Sequence, residues 1–209
     1  VPWVWEEENQ LYRNTETGEI LTYEQVLDLI DEIVDDMQDE VSDTLTDMLA
    51  DGRLTVVEWE QNKSSMLRGL FAMLFLLGIG LAIPTEEEWG VLEAALRVQF
   101  DYLSSFARQI AREELSIADI RRRSRMYVNS VRQAFWLGWK VRVSREGKTE
   151  ELWHTRGDTD VCSPCNEAEG LNWVPLGTLG EPGSGDVVLW PEHTTCRGLV
   201  SCRCWKEAR

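Results

Sequence analysis

The five cysteines constrain this chain more than any other feature, because the first 161 residues contain none and the last 48 contain all of them. Such a chain is expected to fold in two parts, a cysteine-free body and a small module built on thiols. Cys162-Ser163-Pro164-Cys165 is a two-residue knuckle, a spacing that sets two sulfurs about 3.8 Å apart on one tetrahedral ion. The partner half is Cys196, then Cys202-Arg203-Cys204, with His193 just ahead. Four thiolates close a structural site, so the expected Zn2+ ligands are Cys162, Cys165 and Cys196, completed by Cys202 or Cys204, with His193 in reserve. A metal can stand in for the core of so small a module, since its binding free energy becomes folding free energy. Two other thiol chemistries stay open: a disulfide pair with a spare thiol, and a redox-active Cys-x-x-Cys, although no thioredoxin-like strand and helix surround the knuckle.

The body is patterned for helices. Residues 1–21 are expected to form an N-terminal arm, in which Leu11 to Gly18 makes a short extended piece and a turn. Thr22 and Gln25 then form a capping box. Val26, Ile30, Ile33, Met37, Val41, Leu45 and Met48 recur at steps of three and four, one face of a long helix with an acidic back. Asp51-Gly52 ends it. Asp47 to Glu58 partly mimics a calcium loop, but Leu49 stands where an oxygen ligand belongs, so a plain turn is expected. Thr55 with Glu58 opens a second helix, which fades near Gly78 and Gly80. Thr85 with Glu88 opens a third, carrying Trp89, Leu92, Leu96, Phe100, Leu103 and Phe106. Ser116 with Asp119 opens a fourth, carrying Ile120, Met126, Tyr127, Val131, Phe135 and Trp139. The expected fold is mainly α: an acidic helical body over residues 22–140, built as a bundle of about four helices. Residues 141–209 are expected to hold a hairpin, from Val141-Arg142-Val143 through the Glu146-Gly147 turn to Leu152-Trp153, and then a zinc-stabilised β/loop module.

Gly69 to Ile83 is a charge-free apolar run. It falls short of the roughly 20 residues a membrane helix needs, so burial among helices is expected and no membrane contact. The opening Val-Pro-Trp-Val-Trp turns acidic without the pattern of a secretory signal. Charge is polarised. Up to Glu60 there are eighteen Asp and Glu against Arg13 and Arg53, which accounts for the whole net charge of −16. A basic belt follows: Arg121, Arg122, Arg123, Arg125, Arg132, Lys140, Arg142, Arg145 and Lys148. The acidic and basic elements are expected to pair, within the chain or between copies, and the Arg121–Lys148 belt is the place where DNA contact is possible.

Enzyme signatures are missing from the sequence. A zinc deaminase needs His-x-Glu, whereas His154 is followed by Thr155-Arg156 and His193 by Thr194-Thr195. The glycines between Gly177 and Gly185 match neither a phosphate loop nor a dinucleotide fingerprint. A non-enzymatic role is therefore expected.

Several motifs, in order along nearly the whole chain, resemble the head-morphogenesis or minor head (Mu F-like) proteins of tailed bacteriophages. The clearest is the C-terminal module: Cys162-Ser-Pro-Cys165, Gly170-Leu-Asn-Trp173-Val-Pro175-Leu-Gly177-Thr-Leu179, Cys196, and the closing Cys202-Arg203-Cys204. Others are Tyr12-Arg-Asn-Thr-Glu-Thr-Gly18, Gly52-Arg-Leu-Thr-Val-Val-Glu58-Trp59-Glu60 and Gln99-Phe100-Asp-Tyr102-Leu103-Ser-Ser-Phe106-Ala107. The family closes on Pro-x-His shortly before Cys-Arg-Cys. Here Pro191-Glu192-His193 reaches Cys196 first, which favours Cys196 over His193 as ligand. The resemblance implies a virion protein of the phage head, made in the host cytoplasm, present in multiple copies and bound to capsid or portal proteins. The alternative is a zinc-containing regulatory or scaffold protein that binds partners through its helices.

Overall fold

A computed structural model describes residues 2–80, 83–155, 161–180, 186–188, 194–195 and 204–209. The protein is mainly helical. Three strands, β1 (Trp3–Glu6), β2 (Leu11–Asn14) and β3 (Ile20–Thr22), form an antiparallel meander at the start. The N-terminal segment packs on the body, with Trp3 and Tyr12 buried in the main core.

Thr22 caps α1 (Tyr23–Asp36), Thr55 caps α3 (Val56–Ile79), and Thr85 caps α4 (Glu86–Ala111), each through the reciprocal capping box expected from sequence. Each box satisfies two backbone N–H groups that a helix start leaves without a partner. Between α1 and α2 (Asp43–Ala50) the chain widens into a π-helical turn, Met37–Ser42. Besides Leu27, the buried positions are Val26, Ile30, Val34, Gln38, Ser42 and Thr46, a ladder of fours, whereas the expected stripe through Met37, Val41 and Leu45 is only half-buried. The expected fourth helix is two: α5 (Ile117–Asn129), capped by Ser116, and α6 (Arg132–Arg145), with the chain bending at Ser130-Val131.

α3 is the central element. Its apolar run buries Leu70, Phe71, Leu74, Phe75, Leu77 and Ile79, while Ile83 beyond it is exposed and Leu81 lies outside the described residues. Each of the larger side chains contributes roughly 1.5–3 kcal/mol of transfer free energy. Among the described residues no helix is long and apolar enough to cross a membrane. Gly80 ends α3 in the left-handed conformation, φ 79°, where a side chain is disfavoured. α3 and α6 cross backbone against backbone. A Cβ on Gly78 would lie 2.1 Å from the Phe135 carbonyl oxygen, and one on Gly138 would lie 2.1 Å from that of Phe75. Only glycine fits at either place.

The expected hairpin does not form. Val141-Arg142-Val143 continues α6 to Arg145, because this stretch buries Arg142 and Val143. Packing overrides the β-branched texture there. Leu152-Trp153 instead belongs to β4 (Glu150–His154), the centre of a sheet in the order β5-β4-β8. Its partners are β5 (Val174–Pro175) and the chain-terminal β8 (Trp205–Ala208), both antiparallel; β8 aligns His154 with Trp205 and Glu151 with Ala208. Between them come α7 (Ser163–Glu169) and a two-stranded pair, β6 (Asp186–Val188) with β7 (Thr194–Thr195).

Part of the charge asymmetry is met within the chain. Arg125 bridges Asp39 at 2.7 Å and Asp43 at 2.6 Å. Arg121, one turn earlier on α5, reaches Asp43 and Asp47. Arg132 holds Asp31 at 2.9 Å. Arginines four apart on α5 thus mesh with aspartates four apart on the π turn and α2. Arg145 closes the far end on Glu88, whose carboxyl lies below its usual range because of that arginine's hydrogen bond.

Candidate metal centre

Cys162 is the residue before α7 and Pro164 occupies its first turn, where the missing N–H costs nothing. The backbone N–H groups of Cys165 and Asn166 both donate to the Cys162 carbonyl, at 3.0 and 3.1 Å. That turn brings the two thiols together, with Sγ atoms 3.4 Å apart. The distance is far beyond the roughly 2.05 Å of a disulfide, so these two are not joined to each other. It is close to the roughly 3.8 Å edge of a tetrahedral thiolate site.

Cys165 and Cys204 are buried in a small cluster with Trp153, Ala168 and Leu179, against which Cys162, Val161 and Val174 pack. β8 starts beside Cys204, so the β4–β8 ladder delivers that cysteine to the same cluster as the knuckle. Cys196, Cys202 and the reserve ligand His193 lie outside the described residues. Among the described residues no group of three or more His, Cys, Asp or Glu comes close enough to hold a metal ion. The knuckle therefore supplies a geometrically suitable pair. His154 is engaged elsewhere: its ring stacks on Trp205 at 3.9 Å and its Nε2 is 3.2 Å from Glu207 Oε2.

What holds the module to the helical body was not foreseen. Glu151 and Lys206 form an ion pair at 2.8 Å with both side chains fully buried. The other oxygen of Glu151 accepts from the backbone N–H groups of Gly177 and Leu179, each at 2.8 Å. A buried pair survives when its remaining lone pairs are satisfied, and this carboxylate meets that condition. Lys206 Nζ also lies 5.1 Å from the ring centre of Trp139 on α6, and the Tyr23 hydroxyl donates to the Lys206 carbonyl at 3.3 Å. The last strand is thereby tied to α6, to α1 and to the turn after β5. One sign was present in the sequence: Glu151 is two residues from Trp153, so strand alternation puts both on one face.

Arg142, part of the expected basic belt, is buried; it donates to the Tyr12 hydroxyl at 2.7 Å and lies 4.0 Å from the Trp5 ring centre. Comparison of the chain with family models, with curated proteins and with solved structures returned no match.

Proposed function

We propose that this chain is a non-enzymatic structural protein of a tailed-bacteriophage head, present in several copies at the capsid or portal vertex, with a zinc ion bracing its C-terminal module. The observation that carries the reading is the Cys162–Cys165 thiol pair, packed in the same small cluster as Cys204, in a module whose last strand contacts Tyr23 and Trp139 of the helical body. Cys162 and Cys165 would hold the ion, with the later cysteines completing the set; when bound, the ion supplies cross-linking and no reaction. The motif order from Tyr12 to Cys204 supports the phage assignment.

The surface offers contacts for assembly. Val91, Val98 and Tyr102 are exposed on α4 at spacings of seven and four, one helical face. Arg121, Arg122, Arg125 and Arg132 are each engaged by carboxylates of their own chain; of these Arg122, beside Asp119 and with its side chain 74% exposed, is the one best placed for a DNA contact.

Quantitative mass spectrometry of purified particles tests this role. The chain should be present at several copies per particle and persist through gradient purification. Val98→Asp with Tyr102→Asp should lower incorporation while leaving the melting temperature of the free protein within about 2 °C, since surface changes usually cost under about 0.5 kcal/mol. A chain absent from particles and found only in host complexes would instead favour the scaffold alternative.

A further inference from the structure

α4 turns one face to the body and leaves the other bare. Leu92, Leu96, Leu103 and Phe106 are buried on the inner side. On the opposite side Glu87, Val91, Ala94, Val98 and Asp101 follow at alternating steps of four and three, all of them exposed, and the same spacing continued reaches Arg108. That repeat draws a straight seam along a helix, the spacing by which one helix packs along another. The middle of the seam is apolar: Val91, Ala94 and Val98 run along it, with the exposed ring of Tyr102 on its flank. Aligned apolar side chains left outside, rather than scattered singly, mark a contact surface.

The charges on this face are ordered. Glu86 and Glu87 stand at its start and Arg108 at its end, with Glu93, Arg97 and Asp101 between them. Among the described residues Glu86, Glu87, Arg97 and Arg108 form no ion pair, whereas Arg121, Arg125, Arg132 and Arg145 each hold a carboxylate of the body. Glu88 differs from its neighbours, since it closes the helix cap with Thr85 and pairs with Arg145.

Acid, then apolar, then base along one face is complementary to the same face read backwards. A two-fold contact uses one patch on both copies, so a second copy of this chain supplies what the face lacks. Glu86 and Arg108 lie equally far on either side of Arg97, and Val91 and Tyr102 nearly so. Antiparallel pairing about an axis near Arg97 therefore sets the acidic start on the basic end at both ends at once, and lays Val91 beside Tyr102 of the second copy. The two Arg97 side chains then flank the axis, with Glu93 and Asp101 of both copies within about one turn of them. Opposed helix directions also bring unlike helix ends together. A parallel pair would instead stack Glu86 and Glu87 on their own images.

We propose that α4 pairs antiparallel with α4 of a second copy of this chain, through Val91, Val98 and Tyr102, with Glu86 and Glu87 on Arg108. The pairing names the occupant of the assembly face proposed above, and rests on that reading for its role in a particle. One helix face makes a small interface, so the dimer is weak, with a Kd of about 10–100 µM.

Sedimentation equilibrium of the reduced full-length chain, over a concentration series at low salt, tests it. The wild type should pass from monomer to dimer, and added salt should weaken the dimer. Glu86→Lys with Glu87→Lys, and separately Arg108→Glu, should each weaken self-association roughly tenfold, because both ends of the pair turn from attraction to repulsion together. Mixed in equal amounts, these two variants should form a heterodimer about as tight as the wild-type dimer. In that mixture the new lysines meet the new glutamate, and the native Arg108 meets the native Glu86 and Glu87. Circular dichroism of each variant should match the wild type, since all three positions are exposed. A wild type that stays monomeric well above that range, or a mixture that associates no better than either variant alone, would overturn the proposal. A monomeric wild type whose Val98→Asp, Tyr102→Asp variant still fails to enter particles would give the face to a capsid or portal subunit, and leave the proposed function standing. The predicted dimer, formed by a chain absent from particles, would uphold the pairing and sink the virion role.

Discussion

Lys63 shows how one side chain reshapes its surroundings. It is fully buried, and its ammonium donates to the Ser42 hydroxyl at 2.5 Å and the Ser42 carbonyl at 3.3 Å. The same carbonyl accepts from Thr46 Oγ1 at 3.0 Å. Burial lowers the lysine's pKa from 10.5 to about 7, with Asp43 pulling weakly the other way. The unfolded chain therefore holds a proton between pH 7 and 10.5 that the folded chain has released. Stability should rise with pH across that window, by up to about 1.4 kcal/mol per unit, and level off below pH 7, where both states hold the proton. Urea unfolding at pH 7 and pH 9 checks this: the wild type should gain about 2–3 kcal/mol relative to Lys63→Met. Parallel pH dependence in the two proteins would show that Lys63 stays charged in the fold. None of this was visible in the sequence, where Lys63 is one polar residue in a helix of ordinary composition.

At the scale of elements, what was legible was local. Thr22, Thr55, Thr85 and Ser116 mark helix starts because a cap and its partner three residues on are contiguous in the chain. The π turn was not legible; its last residue, Ser42, meets Lys63 from twenty-one residues away. Nor was the continuation of α6 through Val141-Arg142-Val143, which contact with the body decides. The α3–α6 crossing depends on two glycines, and Gly138→Ala puts a methyl where a carbonyl oxygen already sits. The helices would have to part, at a cost at or above the upper end of ordinary overpacking, about 3 kcal/mol. Gly90→Ala, in α4 with nothing within 4 Å of the added carbon, is the matched control. It should be neutral or stabilising by up to about 1 kcal/mol. Thermal unfolding of both variants separates a packing requirement from a general dislike of alanine at glycine positions.

For the whole molecule, the cysteine distribution marked the module but not how it is attached. The knuckle spacing announced the Cys162–Cys165 pair because one helical turn sets it. Cys204 reaches the same cluster only through the β4–β8 ladder, and the Glu151–Lys206 pair that anchors this ladder joins residues fifty-five apart in sequence. The body has its own core, made by α1, α3, α4, α5 and α6 with the N-terminal strands, while Cys162, Cys165 and Cys204 belong to a second, smaller cluster. A small cluster of this kind gains most from an ion, and the larger core should outlast its removal. The most direct test is the metal content of the purified, reduced full-length chain, together with thiol counting before and after chelation. The account predicts one zinc per chain, about four thiols that become reactive only after chelation, and helical circular dichroism that survives when Cys162→Ser releases the metal. A chain that carries no zinc, and in which mass spectrometry finds Cys162 joined to Cys196, would contradict it.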